Sequence, residues 1–409
     1  MISSGTMSGF SDVAKQAMMQ PQESMLEVRN KKNKLYIGIP KETSFQENRI
    51  AITPLSVATL VNNGHTVILE SNAGMGANFT DNNYSEQGAQ IVYDTQQVYQ
   101  ADIILKIAPP TLAEIEMMKM NQTLISALQT STIKAEYLHA LLNKKVTALC
   151  FENLQDEGGT LSVVRAMSEI VGATSILIAA EYLSNVFNGK GLMLGGITGV
   201  PPTEIVILGA GTVGEYAART AIALGAEVKV FDPSIYKLRR LQNNIGSRVF
   251  TSVIQPIVLE KAIKNCDVAI GAMRAKAGRS PSLVTEETVS HMKPNSVIID
   301  VSIDQGGCFE TSEVTNHTNP VFRKYDVIHY CVPNIASRVA RTATYALTNI
   351  FAPILLDIGE HGGLKNVIWE KAGVRNAVYI YQGHLTSQVF GERFNIPSKD
   401  LDLLIVSNR

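Results

Sequence analysis

"TEIVILGAGTVGEYAARTAIALGAEVKVFDPS", residues 203–234, carries more positional constraint than any other stretch of the chain. An apolar strand pattern runs straight into Gly209-x-Gly211-x-x-Gly214, and these glycines open a helical pattern. A second apolar strand then ends on Asp232, about 20 residues on. Each glycine answers its own demand: a tight turn, close approach of backbone to a pyrophosphate, and tight packing of helix on strand. The helix start, with Thr212 and Val213 in its first turn, offers unpaired N–H groups and the positive end of its dipole to phosphate. Asp232 is placed to accept hydrogen bonds from the adenosine ribose hydroxyls, and its charge repels a 2′-phosphate. The expected cofactor is therefore NAD rather than NADP. Glycines alone would be a weak signal; strand, helix, second strand and acid in this order are specific. Lys237 and Arg239, just beyond, read as solvated helix charges.

Strand and helix patterns alternate on both sides of this unit. "KLYIGIP" opens a first series at Lys34. It continues through "TPLSVATLVNNGH", a helix with Thr53 as N-cap, Pro54 in its first turn and Gly64 at its stop. Strands "TVILE", "DIILKIA", "TLISAL" and "VTALCFE" follow, with helices "TLAEIEMMKM" and "IKAEYLHALLNKK" between them. Thr111 and Glu114 have capping-box spacing. Such alternation predicts α/β architecture with parallel sheets covered on both faces. Two long helical stretches, beginning at "LSVVRAMSEIVG" and "SRVARTATYALTN", bracket the 203–302 unit. The expected organisation is two Rossmann-like, doubly wound domains, the nucleotide domain inserted into a discontinuous first domain. The ranges are residues 34–163 plus 341–409 for the first domain and 164–340 for the nucleotide domain. Residues 1–33 form a separate N-terminal arm.

Composition narrows the class. The chain has 409 residues, 45% hydrophobic and 18% charged, a globular profile with ample core. A net charge of -1 provides no field to recruit nucleic acid or an acidic membrane surface. Four cysteines, Cys150, Cys266, Cys308 and Cys331, stand singly, with no CxxC and no zinc spacing. They read as reduced thiols of a cytoplasmic protein without a metal site. No run of about 18 uncharged apolar residues reads as a membrane span, and the N-terminus lacks a secretion signal.

From about Leu35 onward, the motifs "IGIPKETSFQENRIAITP", "SNAGMGANFTD", "MSEIVG", "GLMLGGITGVPP", "IDVSIDQGGCFET" and "YCVPN...RTATYALTN" resemble those of the alanine dehydrogenases. That family is shared with the nucleotide-binding part of NAD(P) transhydrogenase, and "DQGGCFET" and "MSEIVG" favour the alanine dehydrogenase branch. The resemblance implies oxidative deamination of L-alanine to pyruvate and ammonia with NAD, a small amino acid or 2-oxo acid as substrate, and a homo-oligomer, a hexamer in the family.

It also implies roles for residues. Arg49 in "ENRIAITP" matches the cation that holds the substrate carboxylate, a task suited to a guanidinium fork. Asp304 in "SIDQGG" matches an acid/base group, and Asn334 in "YCVPN" a residue near the nicotinamide. The family's catalytic lysine and histidine are replaced. Ala108 stands in "KIAPP" where the lysine belongs, and Gln129 ends "LISALQ" where the histidine belongs, with the spacing between them unchanged. Gln129 can hydrogen-bond substrate but cannot transfer a proton at neutral pH. Lys106, two residues before Ala108, is expected on the same strand face about 6.5 Å away, where its stem offers partial catalytic rescue. His139, His329 and His384 read as structural rather than as substitutes. The loop "GAMRAKAGRSPSLV", residues 271–284, adds Arg274, Lys276 and Arg279 where the family is apolar. Beside the dehydrogenase reading stand two others: an NAD-binding regulatory homologue without turnover, and a transhydrogenase-like nucleotide module.

Overall fold

The computed structural model describes residues 33–130, 132–274, 280 and 282–407. The N-terminal arm lies almost entirely outside them. Two sheets dominate. The first contains β1 (Tyr36–Ile39), β2 (Thr66–Glu70), β3 (Gln90–Val92), β4 (Ile103–Leu105), β5 (Thr123–Ser126) and β6 (Thr147–Cys150). The second contains β7 (Glu204–Leu208), β8 (Glu227–Phe231), β9 (Phe250–Ser252), β10 (Val268–Gly271), β11 (Val297–Asp300), β12 (Val321–Lys324) and β13 (Val327–Tyr330). β14 (Val378–Tyr381) and β15 (His384–Leu385) then return to the first sheet, where β14 runs antiparallel to β6. The first sheet has the order β15-β14-β6-β5-β4-β1-β2-β3 and the second β12-β13-β11-β10-β7-β8-β9. Strands on both sides of the inserted unit therefore share one sheet, as a discontinuous first domain requires.

Both sheets are parallel except at one edge, where β14 and β15 in the first and β12 in the second run antiparallel. Buried apolar clusters cover both faces of each sheet, which is why the parallel strands read as almost continuous apolar runs. Strand order reverses beside β1, between β1 and β4, and beside β7, between β7 and β10. In open α/β sheets the crevice outside the carboxyl ends at such a reversal is where ligands bind.

Two long helices join the halves. The Ser162–Leu183 helix places Val163 in the first sheet's core and Ile176 to Leu183 in the second's. The Ala340–Glu360 helix buries Leu347, Phe351 and Leu355 against the first sheet. By length and composition alone, the Ser162–Leu183 helix and the Ile335–Glu360 stretch are apolar enough to cross a membrane. Both also contribute buried residues to the cores of the two domains. All four cysteines are free and buried.

Local signals account for several boundaries. Thr53 and Pro54 start the Pro54–Asn62 helix and Gly64 follows its end at φ +87°. Thr111 and Glu114 form the expected capping box: Glu114 N–H donates to Thr111 Oγ1 at 3.2 Å, and Thr111 N–H to Glu114 Oε2 at 2.6 Å.

Candidate active site

The β7–β10 crevice is built by the glycine turn. Gly209 sits at φ +113°, and a Cβ there would lie 2.5 Å from Ala272 O. A Cβ on Gly214 would lie 1.9 Å from Gly209 O, so neither position tolerates a side chain. Gly211 differs: the space beside it is open. It caps the Thr212–Ala223 helix, leaving room for a group to approach the backbone of Thr212 and Val213. Asp232, at the end of β8, is enclosed. Its Oδ2 accepts from Ala210 N–H at 2.8 Å and its Oδ1 from Ser234 N–H at 2.8 Å. The acid expected to meet a ribose thus also clamps the glycine turn to the neighbouring strand. Lys237 Nζ stands 4.0 Å from it, and Arg239 is exposed.

Asp304 lies in a turn of 3-10 helix, Ile303–Gln305, directly after β11. The turn is shaped by Asp300, a buried residue that the sequence reading did not single out. Its carboxylate accepts from Ser302 N–H (3.1 Å), Cys308 N–H (2.7 Å) and Ser312 Oγ (2.7 Å). Desolvation raises the Asp300 carboxyl above the ordinary aspartate value in spite of these donors. Asp304 keeps solvent access at its surface, yet surrounding protein atoms crowd its carboxyl. Desolvation therefore raises its pKa, and the charge of Arg274 pulls it part of the way back. Ser302 Oγ donates to Met273 O at 2.6 Å and Ser280 N–H to Gln305 O at 2.7 Å, so both ends of the basic loop are tied to the Asp304 turn. Lys276 and Arg279 lie outside the described residues.

Arg49 is clamped. Its Nε reaches Glu47 Oε1 at 2.7 Å and its Nη2 reaches Glu47 Oε2 at 2.6 Å, while Nη1 lies 3.4 Å from Met167 Sδ. Asn334, in the left-handed conformation at φ +59°, donates from Nδ2 to Glu47 Oε2 at 2.9 Å. Burial pushes the Glu47 carboxyl up, but Arg49 and Asn334 together outweigh it and hold it below the usual glutamate value. The structure thus gathers Arg49 and Asn334, expected from opposite domains, around a glutamate that sequence reasoning missed. The signal for it was adjacency, since "ENR" puts an acid two residues before the arginine.

Lys106 requires a correction. It is buried, not aimed into the cleft: Nζ lies 2.9 Å from Glu42 Oε2 and 3.5 Å from Glu114 Oε1, and its side chain has no exposure. Glu42, from the end of β1, also accepts the N–H groups of Ile107 (2.6 Å) and Ala108 (3.2 Å). β4 ends at Leu105, earlier than "DIILKIA" implies, although Lys106 N–H still donates to Ile125 O and Ala127 N–H to Ile107 O. Desolvation raises the Glu42 carboxyl even with Lys106 beside it. Held between two carboxylates, this side chain is not placed to reach a substrate from the cleft, contrary to the expected rescue.

Ala108 is buried, and Gln129 is exposed in the left-handed region at φ +51°. A cavity of about 280 Å³ beside them is lined by Pro109, Pro110, Leu112, Leu128, Gln129 and Tyr137, but not by Ala108 itself. β5 ends at Ser126, three residues before Gln129. His139 and His384 are exposed on the Ala135–Asn143 helix and β15. His329 is buried against Thr311 Oγ1 (2.8 Å) and Val327 O (3.0 Å), its pKa pushed down to about 4 by desolvation.

Comparison with known proteins adds an independent line. Two family descriptions match: "Alanine dehydrogenase/PNT, N-terminal domain" over residues 38–171 and "Alanine dehydrogenase/PNT, C-terminal domain" over residues 175–388. A protein of Mycolicibacterium smegmatis named alanine dehydrogenase is 38% identical over 90% of this chain and 98% of its own length. One of Methanococcus maripaludis with the same name is 39% identical over 89% and 97%. A solved L-alanine dehydrogenase superposes with a TM-score of 0.82 at 36% identity, covering 88% of this chain and 99% of the other. A transhydrogenase structure from Sinorhizobium meliloti superposes at 0.74 with 24% identity, a likeness of fold.

Proposed function

Because the chain belongs to the alanine dehydrogenase/PNT family, we propose that it is an NAD-dependent amino-acid dehydrogenase whose acid/base set has been altered. The reaction is the interconversion of a small 2-amino acid and water with its 2-oxo acid and ammonia, hydride passing to or from the nicotinamide when NAD is bound. The observation that carries this reading is that one chain holds both a complete glycine turn and the Arg49–Glu47–Asn334 cluster. A protein that only stores a nucleotide has no need of the second.

The residues divide the work. Gly209, Gly211 and Gly214, with the N–H groups of Thr212 and Val213, receive the pyrophosphate. Asp232 meets the adenosine ribose, since each of its oxygens keeps a lone pair after accepting one backbone N–H. Asn334 borders the nicotinamide, Arg49 holds the substrate carboxylate, and Asp304 exchanges a proton with the reacting nitrogen or oxygen. A raised carboxyl suits that task, because acid/base groups work best with a pKa nearer the operating pH. Gln129 contributes a neutral hydrogen bond where the family has a histidine. General acid–base assistance is worth about 10²- to 10⁴-fold, and the expected turnover is slower by that order.

The loss of both proton-active groups favours a second reading, a nucleotide-binding homologue without turnover. The two are separated by following NAD reduction with L-alanine in the natural protein and in Arg49→Lys and Asp304→Asn variants. Alanine-dependent reduction that both variants abolish supports the dehydrogenase. NAD binding with no alanine-dependent reduction supports the regulatory homologue.

A further inference from the structure

The short loop of residues 46–49 belongs to the first domain, yet several of its polar groups are spent on the second. Gln46 Oε1 accepts from His317 N–H at 2.6 Å, and Gln46 Nε2 donates to Thr318 Oγ1 at 2.9 Å. Ser337 Oγ donates to Gln46 O at 2.7 Å and accepts from Asn48 N–H at 2.8 Å. In the middle stands Glu47, whose side chain is only 5% exposed. One of its oxygens serves Arg49 alone; the other is shared by Arg49 Nη2 and Asn334 Nδ2.

The geometry of the arginine fork gives this arrangement a consequence. A guanidinium has five N–H donors. Glu47 takes Nε and Nη2 from the side, and one Nη1 donor points at Met167 Sδ. The edge between Nη1 and Nη2 is the one Glu47 leaves open, and a carboxylate can meet that edge bidentately. Glu47 therefore fixes which edge of Arg49 is offered to a ligand. The bond to Asn334 makes that orientation depend on a residue of the other domain.

We infer that Glu47 is a positioning residue that couples the two halves of the site: occupancy of the nucleotide side, felt at Asn334, sets the end of the Arg49 fork for the substrate carboxylate. This rests on the dehydrogenase reading. Linkage makes the coupling reciprocal, so substrate tightens nucleotide by the same factor. Simple electrostatics predicts something different. Removing the Glu47 charge leaves Arg49 more positive, which on its own strengthens binding of any carboxylate.

The test is the affinity of the full-length protein for NADH, read by nucleotide fluorescence with and without saturating pyruvate, in the natural protein and in Glu47→Gln, Asn334→Ala and the double variant. We expect pyruvate to tighten NADH by at least about fivefold in the natural protein. In each single variant the ratio falls toward one, and the double variant loses nothing more. Asn334→Ala removes an exposed side chain and leaves the Arg49–Glu47 pair in place, so it carries the test if Glu47→Gln folds poorly. A ratio that stays at the natural value in both single variants overturns the inference and leaves the dehydrogenase reading standing. A natural protein that binds NADH but takes no pyruvate, by calorimetry, overturns both.

Discussion

Lys106 Nζ lies 2.9 Å from Glu42 Oε2, with no solvent exposure, at the end of the strand where the family's catalytic lysine is expected two residues further on. Replacing one member of a buried ion pair leaves its partner uncompensated, which costs about 3–5 kcal/mol. Lys106→Met is expected to lower the unfolding free energy by that order, measured by denaturant titration at neutral pH. The sign of the pH dependence follows from Glu42. Its carboxyl is already raised in the folded protein and rises further without the lysine, so the folded variant binds more protons than the unfolded chain. The deficit should shrink as pH falls. A variant as stable as the natural protein, with catalysis selectively lost, would return Lys106 to the active site.

The glycine turn separates packing from binding. Gly214→Ala places a Cβ against Gly209 O, where the available distance is 1.9 Å. We expect it to lose both NADH binding and thermal stability. Gly211→Ala meets open space, so its melting temperature should stay within a few degrees of the natural one while NADH affinity falls at least tenfold, on the order of 1.4 kcal/mol. Fluorescence titration beside a thermal melt distinguishes them; equal stability losses in the two variants contradict the assignment.

Arg274 gives a signed pH prediction. Desolvation holds Asp304 above the ordinary aspartate value, and Arg274 opposes that rise. If Asp304 must be ionised to take a proton during deamination, the rate falls as pH drops through its pKa. Arg274→Gln removes the opposing charge, so the acid limb of the kcat/KM profile moves to higher pH. A limb that stays where it was shows that Arg274 is only a solvated loop charge.

What the sequence disclosed was chiefly local. The glycine turn, the Thr111–Glu114 capping box and the Pro54 helix start depend on neighbours a few residues away. The inserted second domain was legible because two long helical patterns bracket a full strand–helix series. Lys106 was misplaced because its partner Glu42 lies 64 residues away, and strand periodicity says which face a side chain takes but not what occupies that face. The antiparallel return of β14 to β6 was not read in detail either, since pairing across more than 200 intervening residues leaves no local pattern. Glu47 was passed over because its role appears only when Asn334 arrives from the other domain.

The central claim is that this scaffold remains a dehydrogenase with a weakened proton-transfer set, and one comparison tests it most directly. NADH oxidation with pyruvate and ammonium is measured for the natural protein and for the Ala108→Lys/Gln129→His double variant. The left-handed backbone at Gln129 is one that histidine adopts more readily than most residues. The account predicts slow turnover dependent on both pyruvate and ammonium, raised by about 10²- to 10⁴-fold in the double variant. Bound NADH that neither protein oxidises, with both folded, would contradict it.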